Sequence, residues 1–191
     1  MSFSLKHIYK SIASIFFGAM LFSCTNNAKQ VKDFLAAKNL PIGVAKDIYH
    51  IYKDSGRVTS KLKAPLMNEY SNRKEHPYTE FPKGLEIISF QNKGSDSVTI
   101  KGNYGLSYAN TAVSEIKGNV VIYNHTDSTE LKTDHLFWDQ KTGFFFTEKK
   151  FVLTTPTNII RGIGFESKEN LSKYSAKHIT GNIETTEKQN E

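Results

Sequence analysis

The sequence predicts an all-β fold, and three observations carry that reading. Apolar and polar residues alternate over short runs, turn signals recur roughly every eight to twelve residues, and no long helical period interrupts them. The 9 Tyr and 13 Phe residues add side chains that favour strands. A sandwich, a barrel or a roll would each satisfy the pattern. At 191 residues, one such domain is the expectation.

The elements follow in order. Residues 1–23 carry Lys6 and Lys10 before a short apolar run, residues 12–22. That run is too short for a bilayer core about 30 Å thick, so it reads as a signal peptide. Leu21-Phe22-Ser23-Cys24 has the form of a lipobox, although Phe22 is bulkier than the small residue usual there. Cys24 is the single cysteine, which excludes an intramolecular disulfide and makes it the expected lipidation site. An acylated Cys24 would hold the protein on a membrane through a lipid anchor. The competing reading is a membrane anchor that happens to contain a free thiol.

Residues 24–46 are polar and interrupted by Pro41 and Gly43, as a tether would be, with a short helix over 31–38. From Asp47 the period becomes two. "DIYHIY" puts Ile48, His50 and Tyr52 on one face and Tyr49, Ile51 and Lys53 on the other. "KDSG" reads as a turn, and "RVTSKLKAPL", "GLEIISFQNKGSDSVTIKG" and "SEIKGNVVIYNHTDSTELKTDHLFW" continue the strand–turn–strand scheme. The β domain is expected over residues 47–184, and 185–191 read as a frayed tail.

An apolar–basic–small triplet recurs as Leu62-Lys63-Ala64, Ile100-Lys101-Gly102, Leu131-Lys132-Thr133 and Ile160-Arg161-Gly162. A repeated strand pair, each adding one rung to a growing sheet, would generate it; coincidence in a Lys-rich β protein is the alternative.

The net charge of +6 invites a nucleic-acid reading, but the lysines are scattered through alternating segments. Without a dense Lys/Arg block, a solvated surface explains them better, and no nucleic-acid partner is expected. The same side chains can meet anionic lipid headgroups. Catalytic and metal-binding patterns are missing. His7, His50, His76, His125, His135 and His178 stand apart, with no HExxH spacing and no second cysteine. Asp134 and His135 are neighbours, but in a strand they face opposite ways. Gly162-Ile163-Gly164 lies between strands, where it marks a bulge or close packing and not a phosphate loop. No enzyme activity, cofactor or metal is expected.

Abundant Phe, Tyr, Ile and Val without polar catalytic groups suit a protein that holds something apolar, since apolar burial is non-directional. The alternative is that these side chains only form a core. Alternation places Phe144 and Phe146 on one face of a strand and Phe145 on the other. The expected interior, lipid-contacting set is Ile100, Val120, Ile122, Leu136, Trp138, Phe144, Phe146, Val152 and Phe165. Lys132 and Lys149 are expected outside.

Several motifs, in order and spacing, resemble the LptC family. They are "DSG" at 54–56, "AP" at 64–65, "FPKG" at 81–84, "GNV" at 118–120, "LKTDHLFWD" at 131–139 and "GIGF" at 162–165. The likeness spans about residues 47–183 and is greatest to the lipoprotein forms of Bacteroidota-type bacteria. It implies a twisted β-jellyroll of the OstA/LptA type, open along one seam, whose interior takes the acyl chains of lipopolysaccharide. Such a protein receives the lipid from an inner-membrane ABC transporter and passes it to a periplasmic bridge of LptA-like jellyrolls by edge-strand addition. The family implies the periplasmic face of the inner membrane. Thr25 follows the cysteine where an inner-membrane retention signal would have Asp, so the outer membrane remains open. An outer-membrane β-sandwich lipoprotein with a structural or interaction role is the alternative. The segment 48–61 is expected to face the transporter, and 177–184 the bridge.

Overall fold

The computed structural model describes residues 28–91 and 94–180. Its alternating segments form one antiparallel sheet. The strands are β1 (Gly43–Asp54), β2 (Arg57–Tyr70), β3 (Tyr78–Phe81), β4 (Leu85–Gln91), β5 (Asp96–Gly102) and β6 (Tyr104–Tyr108). They continue as β7 (Val113–Asn124), β8 (Thr129–Asp139), β9 (Phe144–Thr154), β10 (Ile159–Lys168), β11 (Tyr174–Ala176) and β12 (Ile179–Thr180). The fold is nearly all β, as the alternation requires, and has the twisted jellyroll form.

Its plan is a meander of bent strands. β3 pairs with the end of β2 and β4 with its start, so β3 and β4 are the two halves of one bent strand. β5 and β6 divide β7 in the same way. At that level the register slips by one residue in β7–β8, β8–β9 and β9–β10. Such bulges bend a strand and sharpen its twist. Their backbone is legible in the sequence. Gly118 and Asn119 take φ of 72° and 48°, and Gly164 takes 81°. At Gly162 an added Cβ would lie 2.8 Å from the Phe151 ring, so "GIG" is a bulge beside a close approach. The aligned bends make a crease across the sheet and divide it into two limbs. Limb A contains β4, β5 and β12, and limb B contains β3, β6 and β11, each with the adjoining parts of the long strands.

Limb A is organised by one inward rung. Leu62, Ile87, Ile100, Ile122, Leu131, Leu153 and Ile160 stand opposite one another in successive pairings. All are buried except the half-buried Ile87, and burying each aliphatic side chain contributes about 1.5–3 kcal/mol. The triplet repeat therefore has a spatial meaning. Its four apolar members belong to this rung, and Lys63, Lys101, Lys132 and Arg161 share the adjacent outward one.

The limbs close on each other at the β8–β10 side. Phe151 of limb A meets Phe165 of limb B with ring centroids 4.9 Å apart. Their tips are linked where Asn124 Nδ2 donates to the Asn170 carbonyl (2.8 Å) and Gln91 Nε2 to Glu169 Oε2 (3.3 Å).

Three interior expectations are corrected: Phe144, Phe146 and Val152 face outward. The β8–β9 turn sets this parity. Asp139 Oδ1 accepts the N–H groups of Lys141 (3.0 Å) and Thr142 (3.2 Å), Gly143 takes φ of 70°, and the hairpin closes with Asp139 opposite Phe144. Trp138 then lies opposite Phe145, and opposed residues share a face. Phe145 is 0% exposed, whereas Phe146 is 37% exposed and stacks on Phe137 at 5.0 Å. Phe144 is half-buried. Val152 pairs with outward Lys132, so its neighbours Phe151 and Leu153 fill the interior instead.

The helix expected over 31–38 is α1 (Ala28–Ala37), which buries no residue. Lys32 O accepts from Asn72 Nδ2 (3.2 Å), and Arg73 Nη2 donates to Asn39 Oδ1 just beyond the helix (2.9 Å). β1 begins at Gly43, ahead of the alternation seen from Asp47. Cys24, the signal segment 1–23, residues 181–184 and the tail 185–191 lie outside the described residues.

Candidate binding cleft

Toward β1 the limbs part, leaving a cleft of about 540 Å³. That is within the 300–1,000 Å³ range of small-ligand pockets. Limb A contributes Leu62, Leu85 and Ile87; limb B contributes Met67, Phe81, Ile116 and Trp138. Room for these side chains comes from glycine. A Cβ at Gly105 would lie 2.8 Å from Leu85 Cδ2, and one at Gly102 would collide with Ile116 Cγ2.

Hydroxyls border this apolar floor. Ser60 and Ser89 come from limb A, and Thr79, Ser107 and Ser114 stand opposite one another across limb B. Gln140 Nε2 donates to Ser114 Oγ (2.9 Å), which donates to Ser107 Oγ (3.3 Å). Trp138 Nε1 donates to Glu169 Oε1 at 2.7 Å, so the indole turns its apolar body to the cleft with its polar atom satisfied. His50 and Tyr52 of β1 complete the open side.

The expected site residues divide three ways. Trp138 lines the cleft. Ile100, Val120, Ile122, Leu136 and Phe165 are buried in the core. Phe144, Phe146 and Val152 are outside it. Sequence reasoning missed Met67, Phe81, Leu85, Ile87 and Ile116, and it placed Leu62 in a repeat without assigning it to the site. Their alternation was visible; the part of the interior that stays open was not.

Among the described residues lining the cleft, no hydroxyl is hydrogen-bonded to an imidazole. The hydroxyl–imidazole pair Thr99 Oγ1–His125 Nε2 (2.8 Å) is exposed and lies outside it. Among the described residues no group of three His, Cys, Asp or Glu could hold a metal ion, and no helix is long and apolar enough to cross a membrane. His135 is partnered by Glu115 and not by adjacent Asp134. Glu115 Oε1 accepts from His135 Nε2 (2.7 Å) and Lys117 Nζ (2.8 Å). Burial opposes ionisation of Glu115, but those two bonds outweigh it and hold the carboxyl below its ordinary 4.5. A carboxylate depressed in the folded state contributes stability that is full above its unfolded pKa and is lost as pH falls through the folded value. Thermal melts between pH 6 and 3 should therefore show a steeper acid loss in the native chain than in Glu115→Gln. Parallel curves would remove Glu115 from the acid response.

The model of the family described as lipopolysaccharide-assembly, LptC-related, matches residues 13–178. No curated protein matches the chain. The matched span takes in every strand from β1 to β11 and all residues lining the cleft. The chain belongs to the LptC family, whose members take part in lipopolysaccharide export.

Proposed function

We propose that the protein is a non-enzymatic carrier in this export, receiving lipopolysaccharide from an inner-membrane ABC transporter and passing it to an LptA-like periplasmic bridge. The observation that supports this reading is the cleft: an apolar floor between two limbs, open along β1 and shut along β8–β10. Acyl chains fit such a floor because their transfer from water needs only apolar area, about 25 cal/mol per Å². The hydroxyl border suits the point where a chain meets its polar head. In this reading Cys24 carries the lipid anchor at the periplasmic face of the inner membrane, β1 faces the transporter, and the β11–β12 edge faces the bridge. Both edges offer unpaired backbone groups to an added strand.

Photo-crosslinking in cells tests the whole assignment. A photoreactive residue at Ile87 should capture lipopolysaccharide, and the same probe at exposed Lys149 should not. Probes in β1 and β11 should capture the transporter and the bridge respectively. Labelled fatty acid should enter the native chain and be lost in Cys24→Ala. Equal capture at Ile87 and Lys149 would leave the cleft without a lipid role.

A further inference from the structure

The crease is also hollow on its outer side. A groove of about 740 Å³ runs from β1 to β7, lined in part by Tyr49, by Lys63, Lys83 and Lys101, and by the carboxylates of Asp47 and Glu86. A second hollow of about 320 Å³ shares Asn119 and Val121 with it and adds Lys132, Asp134 and Lys150. Two of these cations are engaged: Lys101 pairs with Glu86 (2.8 Å) and Lys132 with Glu130 (2.6 Å). Lys63, Lys83 and Lys150 have no carboxylate in ion-pair reach among the described residues; Lys63 Nζ instead lies 5.7 Å from the Tyr49 ring centroid. Ion pairs on a solvated face explain Lys101, paired across strands, and Lys132, paired within β8. They do not explain Lys63 and Lys83, which leave the groove with one positive charge more than the carboxylates of Asp47 and Glu86 balance.

The groove and the cleft are neighbours. Leu85 lines both, and β1 carries Tyr49 on the groove side and His50 on the cleft side. One edge strand therefore separates an apolar space from one whose charged lining is net positive, a reach on the order of 10 Å. We propose that the groove binds the anionic head of the same lipid whose acyl chains occupy the cleft. The head is a phosphorylated sugar, bent round β1 so that its phosphate meets Lys63 and Lys83. This inference rests on the carrier reading and adds a charge requirement to it.

The test uses the purified full chain and two probes: a phosphorylated, acylated glucosamine disaccharide and its phosphate-free counterpart. The native chain should bind the phosphorylated probe about tenfold more tightly at low salt. The preference should fade at 1 M salt, where screening acts within about 3 Å. Lys63→Gln/Lys83→Gln should abolish the preference and leave binding of the phosphate-free probe unchanged, which also reports that the variant is folded. Lys149→Gln/Lys173→Gln, an equal loss of charge at exposed positions away from the groove, should keep it. A native chain without preference, or a double variant that retains it, would overturn the groove and leave the carrier reading standing. An acyl-free disaccharide phosphate that bound as tightly as the full probe would overturn the single-lipid arrangement. Failure of the native chain to bind either probe would overturn the carrier reading and this inference with it.

Discussion

Phe145→Ala should lower the free energy of unfolding by about 3–5 kcal/mol, while Phe146→Ala should lower it by no more than about 1 kcal/mol. The two residues are adjacent and chemically identical, so the difference isolates position. Phe145 is 0% exposed and packs against Trp138, with ring centroids 5.7 Å apart. Its truncation removes buried area and leaves a cavity that the clamped β8–β10 side cannot collapse to fill. Phe146 loses a stacked contact with Phe137 on a face already open to water. Urea unfolding of both variants measures the difference. Equal losses would mean that the Asp139-to-Phe144 hairpin register is wrong, because that register alone puts Phe145 inside.

Gly102→Ala should destabilise by about 1–3 kcal/mol through overpacking, and Ile116→Leu in the same chain should recover most of the loss. The Cβ built at Gly102 collides with one defined atom, Ile116 Cγ2, which leucine lacks. Ile116 also lines the cleft, so the single variant should push its side chain into the ligand space. Melting curves of the single and double variants give the coupling energy directly. Additive effects would show that the strain lies in the backbone and not in this contact.

Much of the fold was legible because alternation is a direct record of the strand period. The triplet repeat was more informative than its short length suggests, because Leu62, Ile100, Leu131 and Ile160 occupy one rung. Parity at Phe144–Phe146 was not legible. It depends on the turn through Gly143, and a change of one residue in register turns every side chain of a strand over. The cleft was less legible still. Leu62 and Ile100 share a rung and a pattern, yet one faces open space and the other is sealed. The distance between limbs decides that, and it is set by long-range contacts such as Phe151–Phe165 and Asn124–Asn170 that no local pattern encodes.

The aligned crease constrains any chain that extends the sheet. Strands from β2 to β10 bend at a common level, and β11 and β12 continue the same division beyond them. A straight strand laid along either edge would match one limb and run off the other. Only a strand with its own bend at that height can pair along the full length. A partner of the same bent form would meet that condition, and its hollow interior would abut this one without a step. The bulges would then act as an alignment gauge between subunits, specifying axial position through backbone shape before any side chain is compared.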